Sequence, residues 1–502
     1  MKRIYFFNIK LVAVIFAMVA LTSSCKKVLD VNTDPNNPAT ATSDLILPAA
    51  QTELGLTVGN TWNFVGSMWA QYWTGGYGVS TSNLEYYNMS TADVDGAWTR
   101  AYARTLADLD AITKKDEVIY SGIAKIMSAY LYQMLVDLHG DIPFSEALKG
   151  SIEDGNILTP KFDSETFVYS KLIPLIDSGL TLIAKKGQIN PSTGFAYLVP
   201  SSNDLFYAGD LNKWAIFANT LKLKILVRQN KFAEAKALIE TPGVSFINSS
   251  ANECKITYSQ TTRNTNPLYA RFISRTNVGM YYVATSASVT TLQNLSDPRL
   301  NKLYLSGTGG IGVDAGDIND NTTSYPSGGV NTRFFRPSTS QVFTATTPVY
   351  FISSWESEFL QSEVYARLSL DAEATSHFES AVTLSCLNLG VSSIDASNYI
   401  ATLGFSGADA ETQVDKIAIQ KWISMNGFQM AEGWLETLRF DRTNHRMFTG
   451  AGAVGLYTSP INSVLGADKY PTSFVYPTQE TSLNPNTPAN RRVTDKRFWD
   501  VD

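Results

Sequence analysis

SGIAKIMSAYLYQMLVDLHGDIPFSEA, residues 121–147, carries the clearest structural signal in the chain. Ile123, Ile126, Met127, Tyr130, Leu131, Met134, Leu135 and Leu138 recur at intervals of three and four. That spacing stacks them on one face of a helix, which then stops at Gly140 and Pro143. The same periodicity returns along the sequence. A second helix carries Val168, Leu172, Leu175, Ile176, Leu180 and Ile183, with a bend expected at Pro174. A third starts near Asn212 and buries Trp214, Phe217, Ala218, Leu221 and Ile225. Phe359, Leu360, Val364 and Leu368 mark a fourth, whose partner includes Phe378, Ala381, Val382 and Leu384. A fifth is expected from about Thr412, through Val414, Ile417, Ala418, Trp422 and Met425, toward Leu438. The expected fold is therefore mainly α, built from helix pairs. Residues 241–350 and 450–498, rich in Ser, Thr, Asn, Gly and Pro, read as irregular, loop-rich insertions that would form the ligand-facing half. No clean 34-residue repeat accompanies the helix pairs.

The N-terminus is a different kind of segment. Lys2, Arg3 and Lys10 precede an apolar run, Leu11 to Leu21, then Thr22-Ser23-Ser24 and Cys25. A basic start, an apolar stretch too short to span a bilayer and small residues at its end make a secretory signal. A cysteine directly after those small residues reads as a bacterial lipoprotein site, where the thiol is acylated and Cys25 becomes the new N-terminus. Ordinary secretion with an incidental cysteine is the plainer alternative. The chain thus divides into a signal over 1–24, a lipid-anchored tether over 25–44 and one binding domain over 45–502. The tether is polar, with the turn-forming Asn-Thr-Asp-Pro-Asn-Asn-Pro run.

Loss of the leader's three basic residues takes the 40 Lys+Arg to 37, against 46 Asp+Glu, a net charge of −9. Nucleic acid and anionic lipid both call for a basic face, so neither is an expected partner. No later run approaches transmembrane length. Cys254 and Cys386 are too few for a disulfide framework and read as buried free thiols, with a single pairing as the alternative. The three histidines are scattered and show no metal-ligand spacing. No nucleophile elbow or phosphate-cradling loop is present.

Several segments, taken in order, resemble the SusD/RagB-like outer-membrane lipoproteins of Bacteroidetes. Asp137-Leu138-His139-Gly140-Asp141-Ile142-Pro143-Phe144-Ser145-Glu146-Ala147 is similar to that family's G-D-[IV]-P-[YF]-S-E-A segment, and Pro160 to Glu165 to the start of its next helix. Asp204 to Asp210 with Lys213-Trp214 and Phe217 to Lys224, then Asp297-Pro298-Arg299, then Glu356 to Ala366, follow in the family's order. Gln420-Lys421-Trp422, Trp434-Leu435-Glu436, Tyr476-Pro477, Glu480, Asn484, Asn490 and the closing Arg497-Phe498-Trp499-Asp500 complete the set. The "starch-binding associating with outer membrane" branch fits best. Leu438 to His445 departs from the family's R-R-T-G-x-P. The resemblance implies a cell-surface lipoprotein with a tetratricopeptide-like helical scaffold. It implies a lid on a SusC-like TonB-dependent outer-membrane barrel, capturing a glycan by binding and without catalysis, and no cofactor. The same lid serving peptides or another nutrient is the alternative, and a surface glycoside hydrolase is a more distant one.

A sugar-binding face needs flat apolar platforms for pyranose C–H groups, with polar groups beside them for hydroxyls. WAQYWTGGYGVSTSNLEYY, residues 69–87, is the best local candidate. Trp69 and Tyr72 are expected in the core, while the glycines at 75, 76 and 78 would leave Trp73 and Tyr77 on a loop. Candidate ligand contacts are Trp73, Tyr77, Asn83 and Tyr86, with Tyr281, Tyr282, Tyr325 and the pair Phe334-Phe335 from the irregular middle. Trp98 reads as packing. Asp137 and Asp141 invite comparison with the carboxylate pair of a glycoside hydrolase, but at a helix end they are expected to hold the turn through backbone hydrogen bonds. Glu432 and Glu436, spaced i, i+4, are expected on a solvated face.

Overall fold

The 121–147 stretch forms what its periodicity predicts: a helix over Val118–His139 with its apolar face buried throughout. The computed structural model of the chain describes residues 41–75, 83–261, 263–276, 282–305, 310–317, 336–337, 342–440, 458–467, 469–489 and 491–500. The signal, Cys25, most of the tether, Tyr77, Tyr281, Tyr325, Phe334 and Phe335 lie outside the described residues.

Helices pair along the sequence. Val118–His139 packs on Glu165–Ile183, which starts at Ser164, whose hydroxyl accepts from the Phe167 N–H. Gly122 and Gly179 face each other there: a Cβ on either would come within 2.8 Å of the other's carbonyl oxygen. Glu165–Ile183 is continuous through Pro174. By length and composition it could cross a membrane, yet Val168, Leu172, Ile176 and Ile183 are buried in the core. Leu211–Arg228 is capped by Asp210 and followed after a short turn by Phe232–Ile239. Ser354–Arg367 pairs with Asp371–Asn388 across three residues, a link short enough to make the two helices antiparallel. The expected fifth helix is two: Ala410–Met425 and Met430–Phe440, broken by a turn in which Gly427 has φ of +83°. The turn folds the second piece back onto Asn63–Trp69, so closely that a Cβ on Gly66 would lie 2.3 Å from the Ala431 nitrogen. The architecture is mainly α-helical with paired-helix packing. The described part of the middle stretch contains helices over Pro267–Thr276 and Ser286–Asn294 and short two-stranded antiparallel ribbons where loops were expected.

The residues that resemble family motifs act as pins between distant segments. Asp204 accepts from Gln51, from the Phe206 and Gly209 N–H groups and from the Trp214 indole, tying the loop to the first described helix, Ser43–Thr57. Arg299 is fully buried, pairs with Asp297 through two nitrogens, and donates to Ser385, Ser424 and Gln420. It thereby fixes the irregular middle to two helices. Asp141 bonds to backbone as expected, but across to the start of the next helix, accepting from the Glu165 N–H at 3.0 Å.

Two carboxylate expectations fail. Glu432 and Glu436 are buried, 3% and 1% exposed, because the whole of Met430–Phe440 lies inside the protein. Glu436 pairs with Arg228 at 3.0 Å, Lys421 at 3.1 Å and Arg439 at 2.7 Å, and Glu432 pairs with Lys224 at 2.8 Å and with Arg228. Asp137 does not cap its helix. It reaches across to Arg228 at 3.2 Å and accepts from Tyr169 and from the Trp499 indole. With Glu356, Glu363 and Arg367 this makes five carboxylates against five cations inside the helical core. Burial favours the neutral form of each group; attraction between them outweighs it at Glu363, Glu432, Glu436, Lys224, Arg228 and Arg439, whereas burial prevails at Asp137, Glu356 and Lys421. Around Glu436, burial pushes the carboxyl up, but Arg439, Lys421 and Arg228 hold it well below the usual range. Cys254 and Cys386 are both free and buried.

Candidate functional site

Residues 69–87 divide at the end of Asn63–Trp69. Trp69 and Tyr72 lie in the core as expected, although the helix ends at Trp69 and Tyr72 follows it. Trp69 meets Trp434 edge-on at 4.9 Å and donates to the Leu84 carbonyl, while Tyr72 stacks on Trp422 and donates to its carbonyl at 2.7 Å. Trp98 is also packed, 3% exposed. Gln71 then takes φ of +52° and turns the chain into a strand, Trp73–Gly75.

This strand corrects the expected loop. It pairs antiparallel with Tyr282–Ala284, Trp73 opposite Ala284, so Trp73 is 2% exposed and lies edge-on against Phe343 at 5.4 Å. Tyr282 is likewise buried and meets Phe64 edge-on. Segments from elsewhere in the chain are fastened to the ribbon on both sides. Glu85, buried beneath, accepts from the Thr74 hydroxyl and the Gly75 N–H at 2.8 Å. Thr74 also accepts from the Gly316 N–H. On the far side, Val313 bridges to Thr285 and exchanges backbone hydrogen bonds with Ala284 and Ser286, covering the Ala284 end of the strand.

Three segments distant in sequence therefore meet around Tyr86. Its ring lies against Gly316 and Pro460, where a Cβ on Gly316 would sit 3.0 Å from Pro460 and 3.1 Å from the ring. Its carbonyl accepts from the Val464 N–H, and Gln71 donates to the Thr458 carbonyl to hold the tail in place. Tyr86 is half-buried, and Asn83, Asp314, Ile461 and Val464 are exposed beside it. The result is one partly open aromatic ring with an amide, a carboxylate and apolar side chains around it. Of the candidates named from sequence, the described structure brings Tyr86 and Asn83 to this face and buries Trp73 against Phe343. Ile461, Val464 and Asp314 were missed. Nothing local marks them, since each arrives on its own loop.

A separate cleft of about 510 Å³ runs between the end of Ser286–Asn294 and Ala410–Met425, lined by Thr402, Leu403, Thr412, Asp415, Lys416 and Gln420 among others. None of its lining residues is aromatic, so it offers no stacking surface. Among the described residues no three His, Cys, Asp or Glu side chains are gathered to hold a metal. His139 is enclosed by Trp98, Phe474 and Tyr476, and burial pushes its ring down to about 3, against a hydrogen bond to the Val475 carbonyl. A ring held neutral in that enclosure is packing, with no route to substrate.

A family model described as SusD-like, starch-binding associating with outer membrane, matches residues 35–453. The chain belongs to the SusD-like family. The SusD-like fold recurs in solved structures. A chitin-binding protein is 22% identical with a TM-score of 0.71, covering 92% of this chain and 100% of its own. A SusD/RagB family protein from Bacteroides thetaiotaomicron is 20% identical at TM-score 0.71, over 92% and 99%. A SusD homolog from Bacteroides uniformis is 17% identical at TM-score 0.70, over 91% and 99%. No curated protein matches the sequence. Membership makes this SusD-like protein a non-catalytic nutrient-binding protein associated with the outer membrane.

Proposed function

We propose that this SusD-like protein is a surface lipoprotein, acylated at Cys25, that captures a glycan and passes it to a SusC-like TonB-dependent barrel. The family match across residues 35–453 carries the reading. The helix pairs serve as a tetratricopeptide-like wall, and the loop-borne surface around Tyr86 faces the ligand. Tyr86 and Asn83 supply the described part of that surface, with Tyr77, Tyr281 and Tyr325 as the further aromatic contacts. A half-buried tyrosine with the exposed Asn83 and Asp314 on neighbouring segments suits a sugar, whose C–H face stacks on an aromatic ring while its hydroxyls are met by an amide and a carboxylate. The chitin-binding relative supports a polysaccharide over other nutrients. A peptide held by strand addition would need a free ribbon edge, and Val313 takes the Ala284 carbonyl at one end of Tyr282–Ala284.

The test is calorimetric titration of the purified protein against a panel of glucans, chitooligosaccharides, other glycans and peptides, with Tyr86→Ala beside the wild type. Saturable binding to a glycan, weakened at least ~10-fold by Tyr86→Ala, is expected, since one aromatic contact is worth about 0.5–1.5 kcal/mol beyond its buried area. A blank glycan panel with a binding peptide would transfer the same lid to peptides.

A further inference from the structure

Thr412, Asp415, Lys416 and Ile419 recur at three and four along Ala410–Met425 and so share one face of that helix. The ends of Ser286–Asn294 and Ser393–Thr402 line the same space, the cleft of about 510 Å³, which has the size of a small-molecule site. Its floor is closed. Gln420 is buried and both ends of its amide are taken: Oε1 accepts from the buried Arg299, and Nε2 donates to the Tyr399 hydroxyl at 2.7 Å. Two hydroxyls of the wall are also fixed. Thr402 donates to the Tyr399 carbonyl at 2.7 Å and Thr412 to the Asp409 carboxylate at 2.8 Å, so toward the cleft each can only accept. Lys416 donates to the Leu403 carbonyl at 2.8 Å, which uses one of the three N–H bonds of an ammonium. Leu295, Leu403 and Ile419 add aliphatic surface.

We propose that this cleft is a separate binding site for a small zwitterion with an aliphatic side chain, a free α-amino acid or a dipeptide of such residues. A ligand ammonium has only donors and needs acceptors, which Thr402, Thr412 and the Asp415 carboxylate provide on one wall. A ligand carboxylate needs donors and positive charge, and the remaining N–H bonds of Lys416 supply both. The two charges stand on adjacent residues of one helix, beside the aliphatic surface of Leu295, Leu403 and Ile419 that takes up the side chain. A saccharide is matched less well. It calls for a flat aromatic platform and for donors to its ring and hydroxyl oxygens, and the cleft has no aromatic lining while its two threonines present acceptors alone. Because the hydroxyls and the floor are already held by bonds within the chain, little ordering remains to be done when the ligand enters. The cleft shares no residue with the surface around Tyr86, so this site and glycan capture stand or fall separately.

The experiment is calorimetric titration of the purified protein with L-leucine, leucylleucine, leucinamide, 4-methylpentanoate and maltose. Leucinamide lacks the carboxylate and 4-methylpentanoate the ammonium. Expected is saturable binding of leucine or leucylleucine with a dissociation constant of roughly 1 mM or tighter. Both truncated analogues should bind at least about 10-fold more weakly, as should leucine or leucylleucine to Asp415→Asn and to Lys416→Met, since each removes a charged hydrogen bond. Glu379→Gln, outside the cleft, should bind as wild type does. Asp415 is exposed, so its variant keeps the test valid should Lys416→Met disturb the Leu403 contact. Binding of leucine assigns the free amino acid, and binding of leucylleucine alone assigns the peptide. The proposal is overturned if neither binds at roughly 1 mM, if both variants bind as tightly as wild type, or if maltose binds and is the ligand that Asp415→Asn weakens.

Discussion

Replacing Glu436 by Gln removes one charge from a site where three cations converge on a single carboxylate. Arg228, Lys421 and Arg439 lie 3.0, 3.1 and 2.7 Å away, and all four groups are at most 6% exposed. Water cannot screen the repulsion left behind, and removal of one member of a buried ion pair costs about 3–5 kcal/mol. A chain of this size unfolds with an entropy of roughly 1 kcal/mol per degree, so the melting midpoint should fall by about 3–5 °C. Differential scanning fluorimetry at pH 7.5 measures it, with the exposed Glu379→Gln as control, expected within about 1 °C of wild type. The acid limb adds a second constraint. The folded carboxyl is held well below its usual range. Its stabilisation is therefore complete above the unfolded value of about 4.3 and is lost as pH falls through the lower folded value. The gap between wild type and Glu436→Gln should persist at pH 5 and close only in stronger acid. A midpoint shift under about 1 °C, or a gap already closed at pH 5, refutes the network and returns Glu436 to a solvated face.

His139 gives the opposite handle on pH. Its ring is held down to about 3 by burial, so below an unfolded value of about 6.5 only the unfolded chain takes up the proton. Between pH 6.5 and 5 it should cost the wild type about 2 kcal/mol, and His139→Gln should flatten the pH dependence of the denaturation midpoint by that amount. Gly66→Ala places a Cβ 2.3 Å from the Ala431 nitrogen, and a clash against backbone should destabilise by about 1–3 kcal/mol or more; a melt indistinguishable from wild type would show that the two helices are not so close. Cys254 and Cys386, both fully buried and free, should react with a thiol reagent only after denaturation. Rapid labelling of either in native buffer would contradict their placement.

The helices were legible because 3.6-residue periodicity is local: Ile123 to Leu138 names its own buried face whatever packs against it. Asp210 and Ser164 cap their helices through equally local contacts, their side chains reaching N–H groups two or three residues away. Order along the chain was enough for the family as well, since the segments that resemble it are the pins of the fold.

What only tertiary structure decided is where non-local partners arrive. Glu432 and Glu436 have the same spacing on a solvated face or in a core. They became core because Lys224 and Arg228 come from a helix more than two hundred residues earlier, and because Met430–Phe440 is enclosed on all sides. Trp73 follows a helix and precedes two glycines, which reads as a loop; Tyr282–Ala284 made it a buried strand by supplying the missing hydrogen-bond edge. The surface around Tyr86 is assembled by loops from three parts of the chain, and loop contacts carry no period. A sequence fixes the faces its own backbone geometry repeats. Charges, ribbons and binding surfaces depend on contacts between residues far apart in the chain, and those exist only once the helices have packed.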